Sequence, residues 1–242
     1  MFRTLLIGSA LTLAAAAAQA DPGYYVLAPY DNKGIRTIDF RYWTVKPKGR
    51  GEVIWPEIGV GYSVNSRWTT EIFQSYIGSS QMATQPSTLN WQNTVLLTQG
   101  ELPVDVGLHL QLIKNRIMVD RRAIEFGPLL QADIGRTQLN LNLVFDRGFS
   151  DTAAPVTNLK YQWQLRHRWT PALHFGAQGF GELGRWDDWA PSAQQSHRAG
   201  PAVFGTLRLG EREAFKAQAA YLVGKTYGQR GHMFTMRTHY EF

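Results

Sequence analysis

The sequence of 242 residues contains no cysteine, so disulfide bonds contribute nothing to its stability. Charged residues are sparse at 18%, and after Asp21 no apolar run approaches the ~18 residues that a transmembrane helix needs. No segment shows a convincing helical period. If the chain enters a membrane, it must therefore do so as a closed β-barrel, because in lipid every backbone amide needs an internal partner.

Glycine and aromatic residues are plentiful, with 23 glycines and 12% aromatics, and the formal net charge is +6. The mean hydropathy is slightly negative at −0.27. This composition suits a barrel whose strands are half lipid-facing and half polar. The basic charge alone is compatible with nucleic acid, but the lysines and arginines are scattered and the chain carries an export signal. We therefore predict no nucleic-acid partner.

The first twenty residues have the pattern of a secretory leader. Arg3 supplies a positive start, an apolar stretch ends at Ala18, and Ala18-Gln19-Ala20 forms a small-x-small cleavage site. We predict a signal peptide over residues 1–20, which leaves a mature chain with a net charge of +5. Residues 21–34 contain too much Pro and Gly for a strand, so they either fold into a barrel lumen as a plug or lie in the periplasm.

About twelve later segments have the length and alternation of membrane-spanning β-strands, each near the ~9–11 residues that a tilted strand requires. The predicted strands are residues 35–45, 53–64, 68–77, 88–98, 104–113, 123–134, 137–145, 159–169, 173–183, 199–209, 215–223 and 232–242. The segment at 68–77 alternates poorly, so its register is open. We predict an all-β fold, a single transmembrane antiparallel barrel of about 12 strands over residues 35–242.

The connections between these strands differ in length in an alternating way. Five are very short and rich in turn residues: 65–67, 100–103, 135–136, 170–171 and 210–213. The connections between them are mostly longer: 78–87, 114–122, 146–158, 184–198 and 224–231. Short turns at one end and long loops at the other are typical of outer-membrane barrels, whereas a soluble β-sandwich should not sort its loops in this way.

The parity of each strand predicts which side chains face lipid. In the clearest case, Leu139, Leu141 and Leu143 alternate with polar residues and should point outward. Aromatic residues fall near both ends of the strands, as in the aromatic girdles of membrane barrels. The alternative is that these side chains fill a soluble core.

The chain ends in an alternating stretch that contains Tyr240 and closes with Phe242. This last strand resembles the assembly signal of Gram-negative outer-membrane β-barrels. The resemblance implies outer-membrane lipid and the barrel assembly machinery as partners, and the outer membrane as the location. It predicts that deletion of Phe242 lowers assembly.

The polar parity places charged side chains in the lumen, with acids concentrated in the early strands and bases in the late ones. The predicted basic wall comprises Arg166, Arg168, Arg208, Lys216 and Arg237, and the predicted acidic wall comprises Glu57, Asp105, Glu125 and Asp133. Such facing walls are typical of diffusion channels and would give a mild preference for small anionic solutes. The same charges could instead pair and fill a closed, structural lumen. No cofactor is predicted.

Candidate catalytic residues are few. None of the six histidines is followed by Ser at the second position, the arrangement that outer-membrane Ser–His hydrolases use. Asp187 and Asp188 are adjacent in a long loop without an assignable His partner, and histidine spacing gives no metal motif. We therefore predict a passive small-solute channel, with a non-conducting structural or interaction barrel as the alternative and a barrel enzyme third.

Overall fold

The computed structural model describes residues 23–29, 33–117, 121–151, 154–226 and 228–242, so the predicted signal peptide lies outside the described residues. Twelve strands make up the fold. The first six are β1 (Arg36–Pro47), β2 (Val53–Ser63), β3 (Trp68–Ser79), β4 (Met82–Leu96), β5 (Asp105–Asn115) and β6 (Arg122–Ile134). The last six are β7 (Thr137–Phe149), β8 (Thr157–Arg168), β9 (Leu173–Arg185), β10 (Ser196–Arg208), β11 (Ala214–Thr226) and β12 (Gln229–Glu241). In the described ranges, no helix is long and apolar enough to cross a membrane.

The strands form a closed antiparallel barrel, as predicted. Each strand pairs with its neighbours in sequence, and β1 pairs with β12 from Thr37↔Glu241 to Pro47↔Gly231. Phe242 continues this seam, because it exchanges backbone hydrogen bonds with Arg36 at 2.9 and 3.0 Å. Closure leaves no open sheet edge, which satisfies the backbone of every strand.

Alternating burial separates an outer apolar surface from the barrel interior. On β7, Leu139, Leu141 and Leu143 are exposed, whereas Asn140 and Asn142 between them are buried. The same alternation exposes Leu108, Leu110 and Leu112 on β5 and is common to most strands. The predicted lipid-facing parity is therefore the outer parity of the barrel.

Two ends of the barrel can be distinguished. The turn side carries the connections after β2, β4, β6, β8 and β10 together with the start of β1 and the end of β12, and the loop side carries the others. Two of the predicted long loops, residues 78–87 and 224–231, are wrong, because most of their residues continue the neighbouring strands. β3 and β4 pair as far as Ser79↔Met82, and β11 and β12 pair as far as Thr226↔Gln229.

The side-chain pattern does not predict these hairpin ends, because strand pairing can continue where no alternating apolar set is present. Backbone hydrogen bonds alone continue the pairing of β3 and β4. The side chains of residues 78–87 therefore resemble those of a loop. β3 and β4 also contain two register shifts, one of them just before the pair Tyr76↔Pro86. Pro86 has no N–H to donate to the ladder, so this pair lacks one of its backbone hydrogen bonds.

Candidate functional site

The N-terminal segment, residues 23–29, lies inside the barrel. Its main chain bonds polar side chains of β7 and β8: Gln162 Nε2 donates to the carbonyl of Gly23 at 3.0 Å, and Asn142 Nδ2 donates to that of Leu27 at 2.9 Å. The amide of Leu27 donates to Gln162 Oε1 at 3.3 Å. The segment does not belong to the sheet, so its main chain has no strand partner. These inward-facing side-chain amides supply its hydrogen bonds instead.

Tyr24 is the anchor of this segment on the loop side. Its ring lies edge-on to Trp43, with centroids 4.9 Å apart, and to Phe180 at 5.5 Å. Its hydroxyl donates to Glu182 and accepts a hydrogen bond from Arg198 Nη2 at 2.9 Å. A buried Tyr with both its ring and its hydroxyl engaged is fixed in position.

Tyr25 binds the centre of the lumen. The guanidinium of Arg41 lies between two rings, 3.6 Å from the centroid of Tyr25 and 3.6 Å from that of Phe73. Tyr25 also donates its hydroxyl hydrogen to Gln92 Oε1 at 3.1 Å. This arrangement binds the segment to the barrel wall through cation–π contacts as well as hydrogen bonds.

The loop-side half of the interior is apolar, which the parity analysis did not predict. Trp43 and Trp55 stack at 5.0 Å, and inward-facing Phe180, Leu222 and Met233 complete a dry cluster with Tyr24. Strand parity does not predict this cluster, because its apolar partners come from the N-terminal segment. A single strand pattern cannot show that both of its faces meet apolar atoms.

The loop side of the interior also holds buried ion pairs. Lys160 Nζ lies 2.7 Å from Glu125 Oε1 and 3.0 Å from Asp146 Oδ2, and all three side chains are nearly inaccessible to solvent. Arg198 bonds Glu182 at 2.6 Å. Charges so deeply buried require such direct pairing, since desolvation of an unpaired ion is costly.

The turn-side half contains a cavity of about 490 Å³, here called the turn-side cavity. Val26 to Pro29 of the N-terminal segment form part of its wall, and Phe204 adds an aromatic surface. Its charged lining residues are the cations Arg166, Arg168, Lys216 and Arg237 and the carboxylates Glu71, Asp133 and Glu241. His239 also lines the cavity. When it is neutral, the lining carries one more positive than negative charge.

Four of the five predicted basic residues line this cavity, but Arg208 is exposed at the end of β10 and does not. Of the predicted acids, only Asp133 does. Glu57 is buried and accepts a hydrogen bond from Ser75, and Glu125 pairs with Lys160. Asp105 accepts a hydrogen bond from the backbone of Gly100 at 2.7 Å, so it stabilises a turn.

The predicted separation into a basic and an acidic wall is wrong. Arg168 and Asp133, assigned to opposite walls, form an ion pair at 2.7 Å. β6 and β8 are separated by β7 alone, and both residues lie at the turn side, so their long side chains meet. Arg237 likewise binds Asp39 at 2.6 Å and lies 3.9 Å from Glu71.

Sequence reasoning missed Arg198, Asp146 and the two tyrosines of the N-terminal segment. Arg198 and Asp146 were assigned to loops because their strands extend further than the alternating pattern. The pair Tyr24-Tyr25 directly after the leader was the available signal, since adjacent aromatic residues seldom remain in water.

The adjacent acids Asp187 and Asp188 lie on the loop side between β9 and β10. Arg185 Nη2 pairs with Asp187 at 3.1 Å, and this hydrogen bonding lowers the pKa of the exposed Asp187 carboxyl. The described part of the chain holds no group of three or more His, Asp or Glu side chains suited to a metal ion.

Comparison with known proteins gives a likeness of fold. No protein-family model and no curated protein sequence matches the chain. Among solved structures, the NanC porin is 7% identical with a TM-score of 0.57, covering 83% of this chain and 98% of that one. An outer-membrane channel from Pseudomonas putida F1 is 12% identical with a TM-score of 0.55, covering 92% and 100%.

A third similar structure is the translocator domain of the autotransporter NalP from Neisseria meningitidis. It is 11% identical with a TM-score of 0.51, and the match covers 99% of this chain and 98% of that domain. A porin, a channel and a translocator domain have different roles, so the likeness is one of scaffold only. The closed twelve-stranded barrel and these neighbours show that the chain has the fold of Gram-negative outer-membrane β-barrels.

Proposed function

We propose that the protein is a small-solute channel of the Gram-negative outer membrane that the N-terminal segment closes in this conformation. The observation that carries the proposal is that the barrel closes without this segment. All twelve strands pair with two neighbours, and residues 23–29 contribute no strand. The segment can therefore leave the lumen without breaking the sheet.

The contacts of the segment fit a removable closure. Its polar partners, among them Gln92, Asn142 and Gln162, can bond water in its place. Its departure would expose buried Val26 and Leu27, each of which contributes roughly 1.5–3 kcal/mol of burial. The closed state should therefore dominate at rest, and the channel should open rarely.

The outer surface supports the membrane location. Exposed Leu, Ile and Val side chains cover the outer parity of most strands, as lipid contact requires. The proposal includes export by the predicted leader and assembly through the terminal strand with Tyr240 and Phe242. It treats the protein as a non-enzymatic channel.

Planar-bilayer recording of the purified mature protein tests the proposal. Deletion of residues 21–29 should raise the open fraction strongly, whereas Ala28→Ser, at an exposed position of the same segment, should leave it unchanged. Heat-modifiable migration in detergent gels confirms that each variant is folded. A folded deletion variant that does not conduct would refute the channel.

A second candidate is a non-conducting barrel. The apolar cluster favours it, because Trp43, Trp55 and Met233 belong to strands and remain in the lumen after the segment leaves. Under this alternative neither the parent nor the deletion variant conducts. The same recordings therefore decide between the two functions.

A further inference from the structure

One cation of the turn-side cavity differs from the others. Arg168 pairs with Asp133, Lys216 with Glu241, and Arg237 with Asp39 and Glu71. Arg166 alone among the four has no carboxylate within ion-pair distance in the described ranges. A guanidinium that lines a water-filled cavity without an internal counter-ion is available to an anion from outside.

His174 and Phe204 position the guanidinium of Arg166. Its Nε donates to His174 Nδ1 at 2.7 Å, which leaves the two terminal amino groups of the guanidinium for a ligand. Because His174 accepts through Nδ1, its ring is neutral in this geometry and adds no competing positive charge. The guanidinium carbon lies 5.1 Å from the ring centroid of Phe204, a contact that supports it from one side.

We propose that Arg166 binds the carboxylate of a small hydroxylated organic anion in the turn-side cavity. The two terminal amino groups match the two oxygens of a carboxylate. Neutral amide side chains in the lining, including Gln131, Gln138 and Gln164, can bond hydroxyl groups as donors and acceptors. The cavity volume of about 490 Å³ lies within the usual range for small-molecule sites.

The charge of the lining favours a monoanion. A ligand with one negative charge cancels the single positive excess, whereas a dianion such as the HPO₄²⁻ form of phosphate would leave an uncompensated charge beside Asp133 and Glu241. A role of the Arg166 site in selecting anions for transport rests on the proposed channel function. Binding to the cavity itself requires no conduction.

Isothermal titration of the full mature protein in detergent micelles tests the site at mildly alkaline pH, where inorganic phosphate is mainly a dianion. D-glucuronate is the probe, D-glucose its uncharged analogue and phosphate the competing anion. Glucuronate should bind; glucose should bind at least about tenfold more weakly because it lacks the hydrogen bonds between two charged groups, and phosphate should bind more weakly because of its second charge. Equal binding of glucose, tighter binding of phosphate, or no binding of glucuronate would overturn the proposal.

Variants locate the site. Arg166→Gln should weaken glucuronate binding about tenfold or more, whereas Arg208→Gln, which removes a positive charge outside the cavity, should leave it unchanged. Should Arg166→Gln fail to fold, Arg166→Lys keeps the charge but loses the paired donors, and it should still weaken binding several-fold. Unaltered binding in a folded Arg166 variant refutes the site. Loss of conduction with intact, Arg166-dependent binding refutes only the channel.

Discussion

The two halves of the lumen use the same kinds of ion pair in different surroundings. On the loop side, Lys160 and its partners Glu125 and Asp146 are only 14%, 6% and 5% exposed. On the turn side, Arg168 and Asp133 are 42% and 43% exposed and line the cavity. Loss of one partner is costly where an ion pair is buried, whereas water or solute can replace the partner where the pair is exposed.

The difference arises from what the N-terminal segment brings to each half. Tyr24 completes an apolar cluster with Trp43 and Phe180 on the loop side. Towards the turn side, Ala28 and Pro29 have small side chains and form part of the wall of the turn-side cavity. One short stretch of chain thus fills part of the loop-side half and only borders the cavity of the other half.

The largest effect is expected for Lys160→Met, which removes the shared cation of Glu125 and Asp146 on the loop side. Two adjacent buried carboxylates then lose their main compensation, and the free energy of unfolding should fall by about 3–5 kcal/mol. Urea unfolding in micelles, followed by tryptophan fluorescence, measures it. A loss below about 1 kcal/mol would contradict the view that this half is dry.

A smaller loss is expected for Gly59→Ala, near the boundary between the halves. A Cβ atom there would lie 2.2 Å from the Phe73 ring, which packs on the Arg41 guanidinium. The ring must move, at about 1–3 kcal/mol. Gly205→Ala, where no atom lies closer than 4.0 Å, is the matched control and should change the unfolding free energy by less than about 1 kcal/mol in the same assay. Equal losses in the two variants would show that Phe73 is not tightly packed.

The smallest effect is expected for Lys216→Met, the turn-side counterpart of Lys160→Met. Lys216 pairs with Glu241, but its own side chain is 45% exposed, and the buried Glu241 carboxylate keeps His239 Nε2 at 3.3 Å as a second partner. The free energy of unfolding should change by about 0–1 kcal/mol. A loss as large as that of Lys160→Met would remove the distinction between the two halves.

Prediction from sequence succeeded where a local pattern carries the information. Alternation along β7, with Leu141 outward and Asn140 and Asn142 inward, predicted strand, facing and barrel. Turn residues such as Gly135, which has a φ of 59°, marked the tight connections. The pattern also placed Arg166, Arg168, Lys216 and Arg237 on the inner face, where the structure lines the cavity with them.

It failed where the outcome depends on contacts across the lumen. The ion pair of Arg168 with Asp133 follows from side-chain reach across β7, which strand parity does not contain. The apolar cluster around Trp43 and Met233 depends on Tyr24, which lies 19 residues before Trp43 and at the opposite end of the sequence from Met233. The extended hairpins beyond Ser79 and Thr226 depend on backbone pairing, which leaves little trace in the side chains.

The sequence by itself determined that the chain is a barrel of about twelve strands and which face of most strands points inward, because a period of two is local and a closed sheet has only two faces. Only the tertiary structure decided what the lumen contains. Side chains from distant strands and the N-terminal segment meet there, and whether Lys160 is buried or Arg166 remains without a carboxylate depends on which neighbours closure brings within a few ångströms. Those distances arise from the curvature and register of the whole barrel, which no single strand encodes.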